Sequence, residues 1–120
     1  MSNDFISLRI EIGHGIYGQF DFDLDEITLG RNPDCDVILK ASGISRHHAT
    51  IVRRDDTYYL KDNDSRNGTF LNGERITDEQ ILRDGDKIRI LEADIDVSIC
   101  PISESAGVEE TTIINFKAKQ

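Results

Sequence analysis

Three short segments carry residues whose chemical types suit the binding of an oxyanion. They are Gly30-Arg31, Ser45-Arg46-His47-His48 and the run from Asp62 to Thr69. An arginine guanidinium donates hydrogen bonds in a planar fork that fits phosphate, and a serine hydroxyl adds a donor without adding charge. An asparagine such as Asn67 can both donate to and accept from a peptide backbone. Gly30 and Gly68 allow backbone conformations or close approach that a Cβ would obstruct.

The charge of the chain is unevenly distributed. The 120 residues carry a net charge of −9, which argues against nucleic acid or an anionic membrane as a general partner. Residues 1–29 sum to −5, residues 30–54 to +3 and residues 55–120 to −7. The five bases of the positive segment are Arg31, Lys40, Arg46, Arg53 and Arg54. An anion that binds this acidic protein is therefore expected at that segment. A few solvated arginines on a strand would, however, explain the positive charge equally well.

Binding residues of this kind commonly lie on loops held by a rigid scaffold, and the rest of the sequence predicts one. Polar and apolar residues alternate with a period of two, and no window of eleven or more residues shows a helical stripe. The alternating or β-rich runs are Leu8–Ile12, Phe20–Leu24, Ile27–Leu29, Val37–Leu39, His48–Arg53, Thr57–Lys61, Phe70–Leu71, Lys87–Leu91 and Ile95–Ile99. Asn72-Gly73 predicts a tight hairpin turn, and Asp84-Gly85 predicts a second. The expected fold is all-β, a β-sandwich of two antiparallel-rich sheets with about ten to eleven strands and the binding loops at one end.

The chain is expected to form one domain over residues 1–101, followed by a tail or linker over residues 102–120. The first residues lack a secretory signal and no apolar run approaches the length of a membrane span, so a cytoplasmic protein is predicted. Cys35 and Cys100 form no CxxC motif and are expected to remain reduced thiols.

The order of these motifs resembles the forkhead-associated (FHA) domain, a family that recognises phosphorylated motifs through arginine clusters. The pattern runs through Gly30-Arg31, Ser45–Ala49 and Ser65–Gly73, and the resemblance covers roughly Ile6 to Ile99. It implies a phosphothreonine-dependent module of signalling that binds a protein or peptide modified by a Ser/Thr kinase. It implies no catalysis, no cofactor and no metal.

The resemblance also implies a role for each matching position. Arg31 and Ser45 correspond to the residues that contact the phosphate, and Arg46 flanks them. Asn67 corresponds to the residue that bonds the peptide backbone, with Arg66 and Asn72 as further peptide contacts. Gly30, His48 and Gly68 are structural residues of the site, and His47 is expected to be solvated. The threonine preference of the family is attributed to a small pocket for the γ-methyl group.

Three other readings remain open at this level. Residues 63–74 match the spacing of an EF-hand calcium loop at several positions, although position 1 should be Asp and helices should flank the loop. Ser45 and His48 could belong to a hydrolase, but no G-x-S-x-G elbow or metal-ligand cluster is present. The domain could also be a purely structural interaction domain of a larger regulator.

A final hypothesis concerns the tail. Thr111 and Thr112 follow two glutamates and precede Ile113-Ile114. A phosphate on either threonine would let the tail bind the site of its own chain or that of a neighbouring copy. Ile114 stands three residues after Thr111, a spacing that the family often reads. The competing interpretation is an inert linker.

Overall fold

A computed structural model describes residues 4–13 and 15–101, and these residues form eleven β-strands without a helix. The strands are β1 (Asp4–Ile12), β2 (Gly15–Phe22), β3 (Glu26–Gly30), β4 (Val37–Ile38), β5 (Ala49–Arg54), β6 (Thr57–Asp62), β7 (Phe70–Leu71), β8 (Glu74–Arg75), β9 (Gln80–Leu82), β10 (Lys87–Ile90) and β11 (Ala93–Pro101). No membrane-spanning helix occurs in this part of the chain. The all-β prediction is confirmed.

The strands form two sheets, which confirms the predicted sandwich. One sheet has six strands in the order β2-β1-β11-β10-β7-β8, and the other has five in the order β4-β3-β5-β6-β9. Every pair is antiparallel except β3 with β4, which pair in parallel over two residues. The nine-residue ladder between β1 and β11 joins the two ends of the described chain. The predicted tail, with Thr111, Thr112 and Ile114, lies outside the described residues.

The period-two pattern places one face of each sheet in the core. On β1, Ile6, Leu8 and Ile10 are all fully buried. Ile51 and Leu60 of the five-stranded sheet are buried in the same core. Each such side chain contributes on the order of 1.5–3 kcal/mol through removal from water. The predicted run Phe20–Leu24 is different, because β2 is an edge strand: Phe20 and Phe22 pack only partly against the core, and Leu24 is 43% exposed.

The two predicted hairpin turns have different outcomes. Asn72 and Gly73 have φ values of 50° and 90° and join β7 to its partner β8, as predicted. Asp84-Gly85 does turn the chain, with φ of 93° at Gly85, but the hairpin prediction is wrong. The preceding strand β9 pairs with β6, whereas the following strand β10 pairs with β7 and β11. The turn therefore carries the chain from one sheet to the other.

Antiparallel pairing brings three loops together at one end of the strands of the five-stranded sheet. Strand β3 ends at Gly30, β5 begins at Ala49 and β6 ends at Asp62, and β5 pairs with both β3 and β6. Strands that run in opposite directions place the end of one beside the start of the next. The loops of residues 31–36, 39–48 and 63–69 are consequently neighbours, as the hydrogen bonds below show.

Candidate functional site

Arg31 lies directly after β3, and its backbone and side chain are both fixed to the loop of residues 39–48. Its N–H donates to the carbonyl of Ser45 at 3.1 Å. Its Nε donates to the carbonyl of Ile44 at 2.9 Å. The residue is exposed, and no acceptor within the described part of the chain takes up its terminal guanidinium nitrogens. The guanidinium is thus held in place through one nitrogen while the outer two face solvent as donors.

Ser45 connects the loop of Arg31 with the loop of Asn67. Its Oγ accepts a hydrogen bond from the backbone N–H of Arg66 at 3.0 Å. A hydroxyl carries one proton and two acceptor lone pairs. Because the bond from Arg66 uses a lone pair, the hydroxyl proton is still available to an anion. The oxygen is therefore positioned by one loop and can donate to a ligand placed beside Arg31.

His48 is fully buried beneath these loops. Its Nδ1 accepts from the backbone N–H of Ser45 at 3.0 Å. Its Nε2 lies 2.9 Å from the carbonyl of Gly68. Since Nδ1 is an acceptor, the proton must be on Nε2, which then donates to Gly68. A single imidazole thus joins the 39–48 loop to the 63–69 loop from below and has no surface to offer a ligand.

Gly30 and Gly68 are required for different physical reasons. A Cβ on Gly30 would lie 2.1 Å from the carbonyl oxygen of Arg46, so only glycine lets β3 approach that loop. The same close approach allows the N–H of Asn32 to donate to the carbonyl of Arg46 at 3.1 Å. Gly68 instead has a φ of +89°, in the left-handed region that favours glycine.

Asp62 fixes the conformation of the 63–69 loop, a role that the sequence analysis did not assign. Its Oδ1 accepts from the hydroxyls of Ser65 at 2.5 Å and Thr69 at 2.6 Å, and its Oδ2 accepts from the N–H of Ser65 at 3.1 Å. The Ser65 oxygen in turn accepts from the N–H of Gly68 at 3.0 Å. Burial of Asp62 by itself raises the pKa of the carboxyl, but the bonds from Ser65 and Thr69 outweigh it, so the pKa is lowered.

The calcium-loop reading of residues 63–74 fails on this geometry. The segment is flanked by strands β6 and β7 and contains the β7–β8 hairpin, whereas an EF-hand needs two helices. Its polar side chains are also engaged within the protein. Asn63 donates to the hydroxyl of Thr50 at 2.9 Å, and Ser65 is bonded to Asp62. Asn63 and Ser65 are therefore committed to partners within the protein.

Asn67 and Asn72, the two asparagines predicted to contact a peptide, are exposed but differ in what they can offer. The Nδ2 of Asn67 donates to the carbonyl of Gly43 at 2.8 Å. This bond leaves its Oδ1 directed to no partner in the described residues. Asn72 uses both ends of its amide, donating to Asp86 at 3.1 Å and accepting from the N–H of Lys87 at 3.0 Å. Asn72 thus braces a turn, and its contact with a peptide stays a prediction.

The arginines of the site lack acidic partners. In the described part of the chain, no ion pair involves Arg31, Arg46 or Arg66. Arg53 and Arg54, by contrast, are paired with acids. Arg53 lies 2.9 Å from Asp23 and 3.0 Å from Asp25. Burial lowers the pKa of Arg53, but these two carboxylates raise it by more, and Arg54 pairs with Glu79 at 2.6 Å. The positive charge that remains is therefore concentrated on the three loops, where an anion would relieve the repulsion between guanidinium groups.

Arg75 also reaches this end of the molecule, which the sequence analysis missed. A Cβ on Gly68 would lie 2.6 Å from its Nε, so the arginine side chain packs on that glycine. The β7–β8 hairpin places it there, and no local signal in the sequence could have linked positions 68 and 75. A separate groove has Asn67, Phe70, Asn72, Ile88 and Leu91 among its lining residues.

Comparison with known proteins relates this chain to the FHA domain family. A sequence model of the FHA domain matches residues 27–91. The transcriptional regulatory protein EmbR of Mycobacterium tuberculosis is 44% identical over 62 residues, which are 52% of this chain and 16% of EmbR. The oxoglutarate dehydrogenase inhibitor of Corynebacterium jeikeium is 35% identical over 83 residues, 69% of this chain and 57% of the inhibitor. This chain thus spans a minor part of EmbR and little more than half of the inhibitor.

Solved structures give the same result. The structure of EmbR in complex with a low-affinity phosphopeptide superposes with a TM-score of 0.71 at 32% identity, over 79% of this chain and 24% of EmbR. A structure from a study of phosphothreonine-dependent FHA domain interactions gives 0.70 at 30% identity, over 82% of this chain and 96% of the other. The family model matches more than half of this chain, and the superposition covers nearly all of a solved FHA domain. This chain therefore belongs to the FHA domain family.

Proposed function

We propose that this chain binds phosphothreonine-containing segments of partner proteins and so acts as a signalling adaptor without catalysis of its own. The observation that carries the proposal is the convergence of Arg31 and the Ser45 hydroxyl on adjacent loops, each held by the protein and each with donors left for a ligand. The membership in the FHA family and the phosphopeptide complex of the similar protein EmbR support it. A cytoplasmic location is part of the proposal, and the absence of a disulfide at Cys35 and Cys100 in the described residues supports it.

The phosphate is proposed to accept from the outer nitrogens of Arg31 and from the Ser45 hydroxyl. Phosphothreonine carries a charge of about −1.5 to −2 near neutral pH. A charge-assisted bond contributes roughly 1.5–3 kcal/mol net, more than a neutral bond, so Arg31 should dominate. Arg46 lies on the loop next to Ser45 and adds positive charge without an acidic partner in the described residues.

The peptide backbone is proposed to lie across Asn67. The Nδ2 of Asn67 is held by the carbonyl of Gly43, which orients Oδ1 to accept from a peptide N–H. Arg66 is exposed beside it and would contact side chains of the partner. Because only the backbone N–H of Arg66 is committed, to Ser45, its guanidinium is able to select acidic neighbours of the phosphothreonine.

The test is a fluorescence polarisation titration of the whole chain with peptides drawn from a phosphothreonine library. We expect saturable binding that is lost with the unphosphorylated peptide and weakened with phosphoserine. Arg31→Ala should weaken binding by about ten- to 150-fold, which is the loss of roughly 1.5–3 kcal/mol. Arg9→Ala removes another exposed arginine, on β1, and serves as the matched control. Equal binding of phosphorylated and unphosphorylated peptides would instead identify a purely structural interaction domain.

A further inference from the structure

Asp34, Cys35 and His47 bring a carboxylate, a thiol and an imidazole together beside the phosphate loops. Their ligand atoms all lie within 4.8 Å of one another. Nε2 of His47 is 3.1 Å from Oδ1 of Asp34. Cys35 is only 6% exposed, whereas the Asp34 and His47 side chains are 71% and 52% exposed. A thiol thus forms the floor of the cluster, and the other two groups form its open rim. We propose that these three residues bind a Zn²⁺ ion.

The segment that carries Asp34 and Cys35 is rigidly anchored. The side chain of Asn32 accepts from the N–H of Asp34 at 2.9 Å, and its carbonyl accepts from the N–H of Cys35 at 3.0 Å. On the other side, the carboxylate of Asp36 accepts from both the N–H and the hydroxyl of Thr28 at 2.9 and 3.1 Å. The backbone N–H groups of Asp34 and Cys35 and the carboxylate of Asp36 are therefore all held by hydrogen bonds, which lowers the entropy lost when a metal orders the two side chains.

The backbone on each side of His47 is fixed as well. The carbonyl of Arg46 accepts from the N–H of Asn32 at 3.1 Å, and the N–H of His48 donates to the carbonyl of Leu29 at 2.8 Å. The first of these bonds ties the histidine segment directly to the turn that carries Asp34. The three ligands consequently come from two loops whose relative position the protein already determines.

The ligand chemistry favours zinc over the hard cations. Thiolate and imidazole are ligands of Zn²⁺, whereas Ca²⁺ and Mg²⁺ prefer oxygen. Tetrahedral Zn²⁺ with bonds of about 2.0–2.3 Å places its ligand atoms roughly 3.3–3.8 Å apart. The cluster must therefore contract by on the order of 1 Å, which rotation of the exposed Asp34 and His47 side chains can supply. Three protein ligands leave the fourth position to water.

The proton balance of binding is defined. Without metal, the Sγ of Cys35 keeps its proton and donates to the carbonyl of Arg46 at 3.3 Å. Zn²⁺ binds thiolate, so the Cys35 proton is released to solvent. Nε2 of His47 bonds the carboxylate of Asp34 without metal, and its ring proton lies on Nδ1 when Nε2 coordinates the metal instead. One Zn²⁺ gained and one proton lost raise the net charge of the cluster by one unit.

The experiment is calorimetric titration of ZnCl₂ into the full chain, kept reduced with a phosphine, in buffers of different ionisation enthalpy. We expect one site per chain and release of about one proton near neutral pH. Titration with Co²⁺ should give a near-ultraviolet thiolate-to-metal charge-transfer band. Absence of binding up to millimolar Zn²⁺, or a Co²⁺ spectrum without that band, would overturn the proposal.

Variants distinguish this cluster from adventitious thiol binding. Cys35→Ser should abolish the Co²⁺ band, and His47→Gln, an exposed position that leaves the fold intact, should weaken Zn²⁺ binding by about tenfold or more. Cys100→Ser is the matched control, since it removes the other cysteine, on β11, and should change neither readout. Loss of binding in Cys100→Ser with retention in His47→Gln would contradict the assignment. None of these readouts depends on the phosphopeptide function.

Discussion

The backbone N–H of Ser45 donates to Nδ1 of His48 at 3.0 Å, so the residue that offers its hydroxyl to an anion is positioned by a fully buried imidazole. The other nitrogen of the same ring bonds the carbonyl of Gly68 at 2.9 Å. Arg31 and Asn67 attach to the 39–48 loop as well, through the carbonyls of Ile44 and Gly43. That loop is therefore the element on which the geometry of the site depends.

His48→Ala should lower both stability and affinity. It leaves the N–H of Ser45 and the carbonyl of Gly68 without partners beneath the loops, and each buried group left unsatisfied costs roughly 1–3 kcal/mol. The free energy of unfolding, measured by chemical denaturation, should fall accordingly, and phosphopeptide affinity should fall with it. Arg31→Ala should lower affinity with a smaller loss of stability, because its side chain is exposed and makes one bond to the loop. An unchanged denaturation midpoint for His48→Ala would contradict the bracing role.

Gly30→Ala should destabilise the fold although the φ of Gly30 is unexceptional. Its Cβ would lie 2.1 Å from the carbonyl oxygen of Arg46, and backbone cannot give way as a flexible side chain can. Overpacking of this kind costs on the order of 1–3 kcal/mol, which thermal denaturation will detect. Gly15→Ala is the control, because no atom lies within 4 Å of the added Cβ. Equal melting temperatures for the two variants would refute the close-approach argument.

Much of the scaffold could be predicted from local patterns, because alternation and turn chemistry act over a few residues. The Asn72-Gly73 hairpin follows directly from the preference of those residues for positive φ. The β5–β6 turn was not predicted as a hairpin, because Asp55 and Asp56 adopt φ values of 52° and 66° without a glycine. Asp84-Gly85 misled for the opposite reason: its turn residues are favourable, but the strands on either side belong to different sheets.

The predicted site residues come together through long-range contacts that no sequence window contains. Family resemblance implied the roles of Arg31, Ser45 and Asn67, but not the bonds that orient them. The Asp62 network and the position of Arg75 on Gly68 depend on how β6, β7 and β8 pack. For the same reason, the spacing of Asp34-Cys35 and His47 in the sequence did not indicate that these three side chains lie close together. Contacts across loops are fixed by sheet topology and not by local residue preference.

The stability of the protein should depend on Asp62 in acid. The pKa of this carboxyl is lowered below its ordinary value of 3.8, so its contribution is fully present above that value and is lost as the pH falls through the folded-state pKa. Asp62→Asn should therefore be less stable than the unmodified protein near neutral pH. Its free energy of unfolding should also fall less steeply as the pH drops below about 4. Asp64→Asn, an exposed carboxylate outside this network, should follow the unmodified protein. The measurement is urea denaturation at a series of pH values. The prediction would be contradicted if the free energy of unfolding fell equally steeply in acid for Asp62→Asn and for the unmodified protein.

Phosphorylation of Thr111 or Thr112 should bring the tail to the site of its own chain or of a second copy. The phosphate and the acidic neighbours of these threonines suit the guanidinium groups of Arg31 and Arg66, which form no ion pair within the described residues. In ¹⁵N NMR spectra, the phosphorylated chain should show shifts at the amides of Arg31 and Asn67, and Arg31→Ala should remove them. Sedimentation separates the two modes, since only binding between copies raises the mass with concentration. Spectra that match the unmodified chain, with a monomer at all concentrations, would leave the tail an inert linker.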